Sequence, residues 1–259
     1  MGIAMSKDRK VVVVMPAYNA ELTLKKTYED LPLDAIDEVL LVDDASPDRT
    51  VQLARELGIH VIEHPENRGY GANQKTCYDA ALDAGGDVIV LLHPDYQYDP
   101  TMVMDLVAPI LEGEADFTFG SRFRSSWRDP LRGGMPLYRW VGNRLTTFIE
   151  NLLMRTNFAE LHSGYKAYSR RFLQSIPYHD FSDQFVFDSQ MIIMAAVSRQ
   201  FKIREVAIPT RYAEDSSSVG IRKSLAYIGL TIWYLLEMLV RRRRIREQIK
   251  SRLAQLSLT

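Results

Sequence analysis

Apolar and polar positions alternate by block along the first hundred residues. Lys10–Pro16 (KVVVVMP) is a short β-branched run closed by proline, the pattern of a strand buried on both faces. Glu21–Leu31 has helical spacing, and Glu38–Val42 (EVLLV) is a second strand ending at Asp43-Asp44. Thr50–Leu57 is expected to be a helix stopped by Gly58, and Ile59–Glu63 a third strand. After the glycine-containing loop Asn67–Gly71, Asn73–Ala84 reads as a helix closed by Gly85-Gly86. Asp87–Leu92 (DVIVLL) is a fourth strand, followed at once by His93-Pro94-Asp95. Strand alternating with helix predicts an α/β fold with a doubly wound, mostly parallel sheet.

From Pro100 the rhythm changes. Met102–Glu112 is expected to be a helix and Asp116–Gly120 a strand leading to Ser121-Arg122. Met135–Met154 and Phe185–Ser198 are helical stretches, and Phe201–Pro209 alternates as a strand does. Neither an internal repeat nor a low-complexity linker interrupts the chain. The expected organisation is one domain over residues 1–223 with a helical appendage over 224–259.

Composition adds little to this picture. The chain has 259 residues, 46% apolar and 25% charged, as in an ordinary globular protein. The lone Cys77 rules out an intramolecular disulfide framework and fits a reducing compartment.

Charge changes the picture at one end. The formal net charge is -1, yet from Arg241 the chain reads RRRRIREQIKSR, seven basic residues against Glu247. The preceding Ser224–Val240 is apolar round most of its turns, and its best run, Leu225–Val240, falls short of the roughly 20 residues that span a bilayer. The expectation for residues 224–252 is an interfacial helix on a membrane, or one packed on a partner's helix, with the arginines at headgroup level. A core-packed or dimer-forming helix with a solvated basic tail is the alternative. Nucleic acid is not an expected partner, because no aromatic-interleaved basic platform accompanies the arginines. Met1–Lys10 lacks the apolar core of a secretory signal, so the expected location is cytoplasmic, at the inner face of a membrane.

The chemistry-bearing residues cluster at the ends of the expected strands. Open α/β sheets bind ligands beyond the carboxyl ends of their strands, and Ala17–Asn19, Asp43-Asp44 and His93–Gln97 all fall there. Asp43 and Asp44 are placed to accept from a base N–H or ribose hydroxyls, while Asp48 suits a helix cap. In an extended backbone His93, Asp95 and Gln97 would share one face and converge on a divalent cation such as manganese or magnesium. Such an ion beside a diphosphate is a Lewis acid for a departing nucleotide. Asp188 is either a general base for an alcohol acceptor or a helix cap. Arg122, Arg139, Arg211, Arg222 and Lys223 are candidate phosphate partners.

Seven segments in order then carry a resemblance: Met15–Glu21 (MPAYNAE), Leu41–Thr50 (LVDDASPDRT), Glu66–Asn73 (ENRGYGAN), His93–Pro100 (HPDYQYDP), Gly120–Phe123 (GSRF), His162–Tyr168 (HSGYKAY) and Phe185–Met191 (FVFDSQM). The chain resembles the family 2 inverting glycosyltransferases of GT-A fold, in their dolichol-phosphate mannose synthase-like branch. The resemblance implies nucleotide contacts from Pro16, Ala17, Tyr18, Asn19, Glu21, Asp43, Asp44 and Arg68. It implies a divalent cation, manganese or magnesium, at His93, Asp95 and Gln97, with His93 standing where the family carries an aspartate. Asp95, Asp188 and Arg122 are the implied catalytic set. Arg122, Arg139, Arg222, Lys223 and Lys166, the last in place of an arginine, are implied in binding acceptor phosphate. The expected reaction moves a sugar from a UDP- or GDP-sugar to a polyprenyl phosphate. The alternatives are a saccharide hydroxyl acceptor with Asp188 as base, or a non-catalytic nucleotide-sugar-binding subunit.

Overall fold

The structure, a computed structural model, describes residues 9–210 and 221–258. In chain order its main elements are β1 (Val11–Ala17), α1 (Leu24–Glu29), β2 (Glu38–Asp43), α2 (Thr50–Glu56), β3 (His60–Glu63), α3 (Tyr70–Asp83) and β4 (Val88–Leu91). They continue with α4 (Val103–Leu111), β5 (Phe117–Ser121), α5 (Asp129–Arg132), α6 (Leu137–Met154), β6 (Lys166–Ser169) and α7 (Arg170–Ser175). The last are α8 (Phe187–Ser198), β7 (Ile203–Ala207), α9 (Ile221–Val240) and α10 (Arg242–Leu256).

The seven strands form one sheet in the order β3-β2-β1-β4-β6-β5-β7. Both neighbours of β1 run parallel to it. The chain builds outward through β2 and β3, then returns to the other side of β1 with β4, so the sheet changes winding direction between β1 and β4. That change opens the crevice in which such sheets bind ligands. β6 alone opposes its neighbours, pairing antiparallel with β4 and β5.

Both faces of the sheet are covered, which is why β1 and β4 read as unbroken apolar runs. Val12, Val14, Ile89, Leu91 and Phe117 face one core, together with residues of α3 and α8. Val11, Val13, Met15, Val88 and Val90 face the other, together with residues of α1, α2 and α4. The C-terminal helices belong to the first core: Leu235, Ile245 and Ile249 are buried in it, and α9 and α10 both pack on α8. No helix among the described residues is long and apolar enough to cross a membrane.

Most expected elements appear with ends moved by a few residues. α1 starts at Leu24, not Glu21, because the Ala20 and Glu21 amides donate to Thr50 Oγ1 and Asp48 Oδ2 and hold that stretch outside the helix. α3 starts at Tyr70, earlier than expected, behind Gly69 at φ +98°. β6 and α7 were not expected at all. The strand is only four residues (KAYS), and the helix opens on Arg170-Arg171, so neither shows a period.

Candidate active site

Parallel pairing sets the carboxyl ends of β1, β2 and β4 along one edge of the sheet. Because β6 is reversed, its first residue, Lys166, pairs with Leu91 and Phe119 and comes to that same edge. The loops 17–21, 43–49, 64–69, 93–98 and 159–165 meet there.

The nucleotide candidates divide into exposed and internal groups. Tyr18, Asn19 and Arg68 are exposed at the edge. Pro16 and Ala17 are buried within β1, and Ala17 O accepts from the Asp44 amide at 2.9 Å. Glu21 Oε2 accepts from the Arg49 amide at 3.1 Å.

Both aspartates of the acidic pair are turned inward. Asp43 closes a turn onto Ser46, whose amide and hydroxyl reach its two oxygens at 2.8 and 2.5 Å. Asp44 accepts from the amides of Arg68 and Gly69, each at 2.9 Å, and its Oδ1 lies 2.7 Å from His64 Nδ1. The expected free carboxylate at this strand end is therefore a brace for the 64–69 loop. Asp48 stands one residue before Arg49, the N-cap position of α2, and accepts from the Thr50 amide and hydroxyl at 3.0 and 2.6 Å. Burial pushes its carboxyl up, but the Thr50 and Glu21 hydrogen bonds outweigh that and leave it below the ordinary value.

The glycines of NRGYGAN serve close packing. A Cβ on Gly71 would stand 2.4 Å from Ser182 O, and the Gly71 amide donates to Asp183 O at 2.8 Å. The start of α3 is thereby pressed against the segment that leads into α8.

The extended backbone expected for HPDYQ is absent. Residues 94–95 turn, residues 96–98 bend and Tyr96 adopts φ +58°, so side-chain alternation is lost and no pleat aligns His93, Asp95 and Gln97. Asp95 is exposed and accepts from the Gln97 amide at 3.0 Å. No three His, Cys, Asp or Glu side chains among the described residues are gathered to hold a metal. A hard cation beside a diphosphate needs only one or two protein carboxylates, since phosphate oxygens and water complete its shell. Asp95, with no ion-pair partner among the described residues, fits that donor set, and the Gln97 amide stands two residues away.

His93 faces inward and joins a chain of four groups. Lys166 Nζ is 2.5 Å from Asp188 Oδ1. The Tyr70 hydroxyl donates to Asp188 Oδ2 at 2.6 Å and lies 3.1 Å from His93 Nε2. With its proton directed to Asp188, the phenol oxygen accepts from Nε2–H, which leaves Nδ1 of His93 with the lone pair. The Tyr70 and His93 rings also stack, with centroids 5.3 Å apart. Burial lowers the His93 pKa, opposed by Asp95 and Asp188 and aided by Lys166. Burial also lowers that of Lys166, and Asp188 offsets part of the fall. Burial, then the Asp188 charge, raises Tyr70 well above its ordinary value and keeps the phenol protonated. Asp188 lies in the first turn of α8 without capping it; its Oδ2 accepts from Tyr70, while its Oδ1 is ion-paired with Lys166 and accepts no hydrogen bond. The helix cap, one of its two expected roles, is therefore not what Asp188 does here.

Arg122 is likewise committed. Its amide donates to Glu160 Oε2 at 2.8 Å, its Nε to Oε1 at 3.0 Å, and its Nη2 to the same carboxylate. Glu160 is fully buried and also accepts from Asn143 Nδ2 of α6 at 3.0 Å. The expected phosphate partner thus ties β5 to the 159–165 loop and α6. Arg139 lies in the first turn of α6, its Nε donating to the Tyr138 hydroxyl at 3.2 Å. Arg222 and Lys223 fall in the first turn of α9 with side chains outside those described, and Arg211 lies outside the described residues. Tyr70, His64 and Glu160 were not singled out from sequence. Tyr70 lay inside a quoted motif, but nothing local to it announces a partner 118 positions away.

The comparisons with known proteins decide the family. The Glycosyl transferase family 2 description matches residues 12–176, well over half the chain. The chain is a family 2 glycosyltransferase. A Methanocaldococcus jannaschii protein of no assigned function is 32% identical over 83% of this chain and 87% of its own. A UDP-N-acetylglucosamine–dolichyl-phosphate N-acetylglucosaminyltransferase of Methanococcus voltae is 28% identical over 90% of this chain and 96% of its own. Among solved structures, glucosyl-3-phosphoglycerate synthase of Mycobacterium tuberculosis with Mn2+, UDP and its product superposes with TM-score 0.67 at 20% identity, over 91% of this chain and 80% of that one. That likeness shows the GT-A fold, and the family assignment makes this glycosyltransferase an enzyme.

Proposed function

We propose that this enzyme transfers a sugar from a UDP- or GDP-sugar to a lipid-linked phosphate, with inversion at the anomeric carbon. The observation that carries the reading is the state of Asp188. A hydroxyl acceptor needs a base at the anomeric carbon, and the candidate carboxylate lies beside the Lys166 ammonium and accepts the Tyr70 hydroxyl on Oδ2. A phosphate acceptor arrives as an anion and needs no base. One of its oxygens attacks the anomeric carbon, the bond from that carbon to the diphosphate breaks, and the electron pair leaves with the nucleoside diphosphate. The dolichyl-phosphate acceptor named for the Methanococcus voltae relative supports the same choice.

The chain's own residues divide the work. Tyr18, Asn19 and Arg68, exposed beside the β1/β4 crevice, bind the nucleotide, while Asp44 holds the Arg68–Gly69 backbone in place. Asp95 with Gln97 would hold a divalent cation, manganese or magnesium, which neutralises charge on the departing nucleoside diphosphate. His93, its Nε2 proton engaged by Tyr70, keeps the Nδ1 lone pair as its remaining donor atom. Arg122 and Lys166 are spent on Glu160 and Asp188, so Arg222 and Lys223 are the proposed partners of the acceptor phosphate.

The test offers radiolabelled UDP- and GDP-sugars, with manganese or magnesium, to a polyprenyl phosphate and to the corresponding polyprenol. Product from the phosphate alone is expected. Product from the alcohol, lost in Asp188→Asn, would overturn the reading. In a parallel thermal-shift series, ligand binding raises the melting temperature by mass action. Asp95→Ala is expected to abolish the metal-dependent part of the shift caused by UDP or GDP.

A further inference from the structure

Helix α6 is turned inside out. Its buried side is polar, with Thr146, Thr147 and Glu150 almost inaccessible, at 3%, 2% and 1% exposure. Its outer side is apolar: Leu137, Tyr138, Val141, Leu145, Phe148 and Leu152 recur at helical spacing, and Phe148 and Leu152 are 65% and 68% exposed. A surface helix normally hides its apolar stripe and wets its polar one. Helix α9, which contacts α6, adds Leu230, Trp233 and Val240 to the exposed apolar surface. Contiguous apolar surface of this extent marks an interaction site.

The last turns of these two helices, with the end of α8 and the start of α10, line one groove of about 380 Å³. Its apolar floor includes Leu153, Met154, Val197 and Leu239, and its rim is Arg155, Arg199, Arg242, Arg243 and Arg246. No carboxylate lines it. Arg199 donates to Met154 O and Arg246 to Val197 O, which fixes two guanidinium groups at the rim. Arg155, Arg242 and Arg243 are exposed and have no ion-pair partner among the described residues.

We infer that α6, α9 and this groove form a docking surface for an anionic bilayer, with the apolar stripes entering the headgroup–acyl boundary and the arginines binding lipid phosphates. The charge selects this occupant. A second copy of the chain could cover the α6 stripe but would bring arginines to arginines, whereas a phosphate-bearing surface neutralises them. α6 is too short and too polar on one side to span, and a helix of this kind lies in the interface plane. The inference does not rest on the transfer reaction, because docking is read without donor or acceptor.

The experiment is flotation of the full chain with vesicles of phosphatidylcholine, alone or mixed with phosphatidylglycerol. The wild type is expected to float with the anionic vesicles. Phe148→Ser with Leu152→Ser is expected to stay at the bottom. Arg242→Gln with Arg243→Gln is expected to bind about 25-fold more weakly, at about fivefold per arginine near a charged surface. All four positions are exposed, and melting curves of both variants should match the wild type. Four results would overturn the inference. One is a wild type that binds neither vesicle. Another is equal binding by all three proteins. The third is inorganic pyrophosphate raising the melting temperature through Arg242 and Arg243 while vesicles remain unbound, which would make the groove a site for a soluble anion. A dimer that Phe148→Ser with Leu152→Ser dissolves, without vesicle binding, assigns the stripe to self-association.

Discussion

Single side chains at this site are recruited as braces as often as they are presented. Asp44, Arg122, Lys166 and Asp188 all stood out in the sequence, and all four charges are satisfied inside the protein. The sequence could place them at the sheet edge, because strand ends are legible from periodicity. It could not show their partners, because Glu160 and Tyr70 are distant in the chain and carry no local signal. The Arg122–Glu160 pair makes the difference measurable. Removing one member of a buried ion pair typically costs about 3–5 kcal/mol, since the survivor is left uncompensated. Glu160→Ala is expected to destabilise the protein by about that amount in urea titration and to weaken acceptor use in step. A phosphate-binding Arg122 freed of its partner would instead bind acceptor more tightly.

At the scale of elements, α6 and α9 are coupled through one partly buried histidine. His162 Nε2 lies 3.0 Å from Glu150 of α6, and His162 Nδ1 lies 3.2 Å from the Tyr227 hydroxyl of α9. Tyr227 in turn meets Ser189 of α8 at 2.5 Å. Burial lowers the His162 pKa, but the Glu150 charge and hydrogen bond, with Glu160, outweigh it and the net shift is upward from 6.5. A raised pKa means stability fully present below the unfolded value and lost as pH climbs through the folded one. His162→Gln should therefore lower the melting temperature most below pH 6.5, with the difference shrinking as the pH rises beyond it. A difference that grows with pH would contradict the ion pair. The sequence offered this histidine only as part of HSGYKAY. Its role needs two helices whose approach no local pattern encodes. By contrast the long periodic segments, β1, β4, α3 and α8, were legible to within a few residues, because burial on a sheet leaves its period in the sequence.

Across the whole molecule, the C-terminal helices are where expectation and structure differ most. The arginine run was expected at lipid headgroup level, with a solvated basic tail on a core-packed helix as the alternative, yet Ile245 and Ile249 of α10 pack in the core beside Leu235 of α9. The two isoleucines, four positions apart, were present in the sequence but outweighed by the charge around them. Burying each contributes about 1.5–3 kcal/mol. A chain truncated after Arg241 is expected to lose several degrees of melting temperature and much of its soluble yield. A truncated chain that melts like the full one would restore the tail reading. The reversed strand β6 bears on how the enzyme is made. Its register joins Leu91 to Lys166, so the facing edges of β4 and β5 stay open until residues 166–169 leave the ribosome. At about 5–20 residues per second, β4 waits several seconds with unpaired backbone on an apolar strand, which is the interval in which a nascent chain is most exposed to strangers. For this protein the hazard of synthesis and the geometry of the catalytic edge come from the same four residues.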